Sequence, residues 1–274
     1  FMLFFQREML AGHKLVSDQK NQLEARNKDV MDSMLYAKRI QKAMLPSEES
    51  IQTIFPEYFL FYQPKDIVSG DFYWVHENEN YRFVAVGDCT GHGIPGCMMS
   101  VLGINLLIEI VENKRITNPE TILNELRNGI LLAFDKDGKS TEYKDGMDFA
   151  LIRVNKKKNS YVFSGAQNSM YHLTPDTLAI RLSDKQPIGY SHSMEWFNQH
   201  EFEYEPGDML VLFTDGFADQ FGGPKNKKFR YKNFQQLLLI NQTKDLEKVL
   251  SKTFYEWKGE LEQVDDICVL GIRL

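Results

Sequence analysis

The chain is sparing with the features that would fix its class at a glance. Three cysteines, Cys89, Cys97 and Cys268, occur in 274 residues and none forms a CxxC pair. An odd count without that spacing excludes a disulfide framework and a structural zinc site, and it fits a reducing cytosol. No CxxxxxR loop and no histidine–carboxylate pattern accompany the cysteines, so a thiol nucleophile lacks its usual activating groups. There is no surplus of positive charge: the net charge is −6, which removes any global electrostatic case for nucleic acid or an anionic membrane. The opening FMLFF is apolar but too short to span a bilayer. A chain cut after a membrane helix, or inside any buried helix, begins this way. An upstream sensor or membrane segment, tethering a cytoplasmic protein to the inner face of the membrane, is therefore an open expectation.

Glycine and proline are missing from one long stretch, between Gly12 and Pro46. That stretch is rich in Lys, Gln, Asn and Met, so it predicts one long helix that Pro46 stops. Val16, Leu23, Val30, Ala37 and Met44 recur every seven residues, while the companion positions Gln19, Arg26 and Ser33 are polar and Ile40 is not. The seam is half-written and reads as a signalling coiled coil that pairs two copies of the chain. A solvent-exposed linker helix, or one lying against the next domain, fits the same pattern.

After Pro46 the texture changes, which divides the chain into a helical 1–46 and a domain over 47–274. With 43% hydrophobic residues the domain can bury a core. Short β-branched and aromatic runs predict strands at 58–63, 71–76, 81–87, 149–155, 160–164, 169–173, 209–214 and 267–272. Helical patterns occupy 96–113, 119–134, 231–240 and 244–258. Hairpin-length turns join several strands, and helices arrive in pairs, so the expected class is α+β with antiparallel sheets. No repeat or low-complexity tract is present.

Aspartates fall at the ends of four of these strands. Asp71 follows VSG, Asp88 follows FVAVG, Asp215 follows MLVLFT, and Asp265 and Asp266 precede ICVLGI. A carboxylate at the end of a buried strand is costly unless paired or bound to a metal. Any one of them alone reads as a cap or turn residue. Four that meet at one rim repel each other unless a cation is present, and oxygen-only ligands select magnesium or manganese over zinc. Water activated by such ions attacks phosphoryl groups.

The motifs VSGDFYW, GDCTGHG, LVLFTDGFADQFGG and VDDICVL, in that order, resemble the metal-dependent (PPM, protein phosphatase 2C-like) superfamily, and within it the bacterial SpoIIE/RsbU-type serine phosphatases. GMDFALI, SGAQNSMYHL and DKQPIGY match as well, and the resemblance covers roughly residues 47–274. It implies two stacked, mainly antiparallel sheets flanked by helix pairs, with two Mn2+ or Mg2+ ions at one end. It implies that Asp88 bridges the ions, the Cys89 carbonyl faces one, Asp215 and Asp265 hold the other, and Asp71 binds directly or through water. The nucleophile would be metal-activated water, and the substrate a phosphoserine or phosphothreonine protein such as a STAS-type anti-sigma-factor antagonist. The helix pair after the GHG turn would move as a switch. Asp148 falls where relatives bind a third ion, and equally suits a strand cap. His92 lies four residues after Asp88 rather than two, as in the animal enzymes, so a general-acid role does not transfer directly. No arginine precedes Asp71 at their phosphate-binding position, and Lys65 is the nearest cation. The competing readings are a catalytically silent docking or dimerisation module with the same fold, and a hydrolase of a small phosphoester.

Overall fold

The computed structural model describes residues 2–134, 145–191 and 194–274, with side chains from Val16 onward; the side chains of FMLFF lie outside that set. Helix α1 (Met2–Met44) ends just before Pro46. The short α2 (Glu48–Ile54) follows, capped by the Ser47 hydroxyl, which accepts the Ser50 N–H at 3.2 Å. Strands β1 (Tyr58–Gln63), β2 (Phe72–Glu77) and β3 (Tyr81–Cys89) come next. Helix α3 (Gly93–Leu107) runs into a π-helical segment, Ile108–Asn113, and α4 (Pro119–Phe134) returns beside it. Then follow β4 (Gly146–Asn155), β5 (Ser160–Ala166), β6 (Met170–Leu173), β7 (Leu178–Arg181), β8 (Ile188–Gly189) and β9 (His200–Glu203). Strand β10 (Met209–Phe213) leads through a one-turn α5 (Gly216–Asp219) to a ribbon of β11 (Phe221–Gly222) and β12 (Lys227–Lys228). Helices α6 (Tyr231–Asn241) and α7 (Leu246–Lys258) precede the last strand, β13 (Ile267–Arg273).

Two antiparallel sheets stack. One has the order β1-β13-β10-β6-β7, and the other β2-β3-β4-β5-β9 with β8 added beside β4. Alternation along each central strand explains the stacking. In β3, Val84 and Val86 enter the core between the sheets, while Phe83, Ala85 and Cys89 face the core under α3 and α4. In β13, Cys268, Leu270 and Ile272 point inward, while Ile267 and Val269 meet α6 and α7. Strands covered on both faces must read as continuous apolar runs, as MLVLF and ICVLGI do. The result is four layers: helices, sheet, sheet, helices.

The segment from Gly93 to Asn113 is apolar enough, by length and composition, to cross a membrane, and half of its most apolar stretch is buried. Here it packs against β3 on one side and against α1 and α4 on others, which accounts for its apolar composition. The end of α1 joins the domain too. Gln41 is buried, and Leu45 packs against both cores of the second sheet. Residues 16–33 of the same helix are exposed. At the far end of the sandwich from the Asp215 rim, buried His172 ties the sheets together, with Nε2 2.9 Å from Asp208 Oδ2 and Nδ1 3.0 Å from the Tyr161 hydroxyl. Arg181 donates to the same Nδ1 at 3.1 Å, so that nitrogen is the acceptor and the Asp208-facing nitrogen carries the proton.

Candidate metal centre

The strand ends carrying the aspartates converge because of the register. Phe72 pairs with Gly87, so Asp71, just before β2, stands beside the end of β3. Asp88 pairs with Asp148 across β3 and β4. In the other sheet Phe213 pairs with Val269, and the Thr214 N–H donates to the Cys268 carbonyl at 2.9 Å. Asp215 and Asp265 therefore share a rim. The two sheets are joined there by the Thr214 hydroxyl, which donates to Asp71 Oδ2 at 2.6 Å and itself accepts the Cys268 N–H at 2.9 Å, and by the Tyr62 hydroxyl, which donates to the Asp71 carbonyl.

The two neighbours in the DD pair do different work. Asp266 is buried and accepts the main-chain N–H of Lys65 and of Gly70, each at 2.7 Å, so it fixes the loop leading to Asp71. Asp265 accepts the Asp266 N–H at 2.9 Å and keeps its carboxylate beside Asp215. The loop 65–70 lies against the GHG turn so closely that a Cβ on Gly70 would come within 2.6 Å of the Gly91 carbonyl. Gly91 and Gly93, with φ of 86° and 66°, make that turn in a region that side chains disfavour.

The electrostatics describe one interacting group. Burial raises the Asp71 carboxyl well above its ordinary range, and Asp88 raises it further, against the Thr214 hydrogen bond. Burial likewise raises Asp88, and Asp215, Asp148 and Asp265 add to it. Asp148 is pushed up to about 6 by burial and by Asp215. Asp215 is pushed up to about 6 by burial and by Asp265, with Lys228 opposing. That lysine is itself paired with Asp219 at 2.6 Å. Like charges held together in a poorly solvated rim disfavour ionisation, and a divalent cation reverses the balance.

Every side chain in the group is an oxygen donor, which fits magnesium or manganese. Among the described residues no three His, Cys, Asp or Glu side chains are drawn tightly enough to hold an ion by themselves. Cys89 and Cys268 are buried, and burial with the nearby carboxylates raises their thiols well above the ordinary range, so neither offers a thiolate.

The remaining candidates stand apart. The Nδ1 of His92 lies 2.9 Å from Asp66 Oδ2, with both side chains about half exposed on the turn. Lys65 contributes its main-chain N–H to Asp266. Three residues of the rim escaped the sequence reading. Thr214 was visible only as the residue before Asp215, and the anchoring role of Asp266 as the second of a DD pair. Tyr231 gave no signal. Burial raises its hydroxyl and so do Asp215 and Asp219, which places it beside the carboxylates from the start of α6.

Comparison with known proteins identifies the family and the fold. The model of the Stage II sporulation protein E (SpoIIE) family matches residues 78–274. The phosphoserine phosphatase RsbU of Bacillus subtilis is 23% identical over 224 residues, covering 79% of this chain and 62% of that protein. Among solved structures, the SiaA-PP2C domain of Pseudomonas aeruginosa superposes with a TM-score of 0.81 at 29% identity, covering 91% of this chain and 99% of that one. The PP2C phosphatase domain of SpoIIE from Bacillus subtilis, with a fragment of its regulatory domain, superposes with a TM-score of 0.65 at 18% identity, covering 80% and 63%. The chain belongs to the SpoIIE family and has the PP2C (PPM) fold.

Proposed function

We propose that the chain is a metal-dependent protein-serine/threonine phosphatase acting on a phosphoprotein in signal transduction. The observation that carries the reading is the oxygen-only group at one rim, in which burial and the neighbouring carboxylates, that of Asp265 among them, raise Asp71, Asp88, Asp148 and Asp215, an excess of like charge that a divalent cation relieves. Two Mn2+ or Mg2+ ions would be held by Asp88 and the Cys89 carbonyl on one side and by Asp215 and Asp265 on the other; Asp71 would bind directly or through water, and Asp148 is the candidate for a third ion. When bound, the ions supply activated water and neutralise the phosphoryl oxygens.

The chain's own part is positioning. The Thr214 hydroxyl favours the ionised form of Asp71 and fixes its rotamer across the two sheets. Asp266 holds the approach loop through Lys65 and Gly70, so Asp71 reaches the rim at a set height. The relative named a phosphoserine phosphatase supports the serine phosphoester class, and a STAS-type anti-sigma-factor antagonist is the proposed kind of substrate. Cytoplasmic residence is part of the same reading.

Regulation through α1 belongs to this proposal. Gln41 donates to the Ser69 carbonyl at 2.6 Å and to the Ser100 hydroxyl at 2.8 Å, and accepts the Ser69 N–H at 3.2 Å. One side chain of α1 thus clasps the loop before Asp71 and the helix α3. The founding test is phosphate release from a phosphoserine protein with Mn2+ added. Turnover is expected for the wild type and loss of about a hundredfold to a thousandfold for Asp88→Asn, in the range of other electrostatic catalytic deletions. Undiminished activity in that variant refutes the assignment.

A further inference from the structure

A cavity of about 670 Å3 opens where the end of α1, the start of α2 and the loop between β1 and β2 meet. That size falls within the roughly 300–1,000 Å3 of small-molecule sites. Its walls are apolar: Leu45 and Pro46 from the helix end, Pro64 and Ile67 from the loop, and the rings of Tyr62 and Tyr73. Both tyrosine hydroxyls are already engaged, Tyr62 donating to the Asp71 carbonyl at 3.0 Å and Tyr73 to the Pro46 carbonyl at 3.3 Å. Their centroids stand 5.4 Å apart, edge to face, so they offer an occupant aromatic surface rather than polar groups.

The mouth is charged, and the charges are split. Lys38 and Lys42, one turn apart on α1, form one lip, and Glu48 and Glu49 from the first turn of α2 form the other. Among the described residues none of these four makes an ion pair. A purely anionic ligand is repelled by the glutamates and a purely cationic one by the lysines. A ligand carrying both charges meets both lips.

We infer that this cavity binds a small aromatic zwitterion, its ring among the tyrosines and prolines and its carboxylate and ammonium divided between the two lips. None of the rim aspartates lines the cavity, so the occupant is not the molecule acted upon. Gln41 and Tyr62 do line it, and both hold the backbone around Asp71, through Ser69 and through the Asp71 carbonyl. The occupant is therefore an effector; that role rests on the phosphatase reading, whereas the binding does not.

The probe is L-tryptophan, compared with tryptamine and indole-3-propionate, which each keep one of its charges. Each is titrated into the 15N-labelled chain while the amide signals of Gln41, Tyr62 and Ile67 are followed. Tryptophan is expected to bind about fivefold more tightly than either control, the scale of one exposed ion pair. Exchanging the lysine lip by Lys38→Glu with Lys42→Glu, both exposed, is expected to reverse the preference toward tryptamine. Ile67→Trp fills the cavity and is expected to abolish binding; should it unfold, the charge exchange alone decides. Absence of binding by all three probes at millimolar concentration, or an unchanged preference after the charge exchange, overturns the site. Binding that leaves phosphate release unaltered in a phosphatase-active chain overturns the effector role alone.

Discussion

Two residues at the rim make opposite demands on the fold, and substitution separates them. Asp215 titrates near 6 in the folded, metal-free chain and near 3.8 when unfolded, so the folded state binds more protons between those values. Its ionisation therefore costs stability that is fully regained below about 4 and lost as pH rises through about 6. Metal-free Asp215→Asn is expected to melt a few degrees above the wild type at pH 7.5, with the gap closing at pH 4. Added Mn2+ should raise the wild-type midpoint and reverse the order. Calorimetry at the two pH values checks this, and a lower midpoint for the metal-free variant at pH 7.5 contradicts mutual repulsion. Thr214 acts in the other direction. Thr214→Val leaves both Asp71 and the Cys268 N–H without their partner, at a cost of about 2 kcal/mol, and weakens Mn2+-dependent turnover. Thr214→Ser keeps the hydroxyl and should restore both; a serine variant as impaired as valine would show that the hydroxyl is not enough, and would count against the hydrogen-bond account.

Elements were legible where burial dictates composition. Strands covered on both faces can hold little but apolar residues, so β10 and β13 stood out, and α4 was bounded by its proline and its period. The edge strands β7 and β9 were not visible, because one half-exposed and one largely exposed face leave LAIR and HEFE without alternation. The short α2 was hidden by its length, since seven residues show less than two helical periods. The motif aspartates were readable as strand ends, but convergence at one rim depends on register, which no single strand encodes. Long-range contacts of polar side chains were the least legible. Gln41 is an ordinary helix former in a polar helix, and nothing local says that it will be buried against Ser69 and Ser100. Its role has a sharp test: Gln41→Leu keeps volume and helix propensity but strands the Ser69 groups. Hydrogen exchange at residues 69–71 and in α3 should accelerate by about tenfold or more, with turnover changing in parallel. Unaltered exchange in both segments would mean that α1 is merely seated on the domain.

At the scale of the whole molecule, α1 poses a problem that one chain does not solve. Val16, Leu23 and Val30 are 64%, 60% and 54% exposed, so among the described residues the first part of the seam covers nothing. A solitary helix gains little from propensity alone and depends on packing an apolar stripe. The seam changes its partner along its length: Ala37 is half-buried, and Met44 packs against the core beneath α3. The first half is therefore available to a second copy while the last turns are fixed to the domain. Because Gln41 lies on the fixed part, pairing of the free part with a second copy would set the rotation at which Gln41 meets Ser69 and Ser100. Sedimentation velocity at micromolar concentration is expected to give a dimer, and Leu23→Glu with Val30→Glu a monomer, since neither residue touches the domain. The same double variant should leave the metal-dependent melting shift intact while altering turnover, because it removes the input without touching the rim. A monomeric wild type with the turnover of the double variant would leave the seam without a role, and α1 would then be an arm whose only contact is the one made by its last turns.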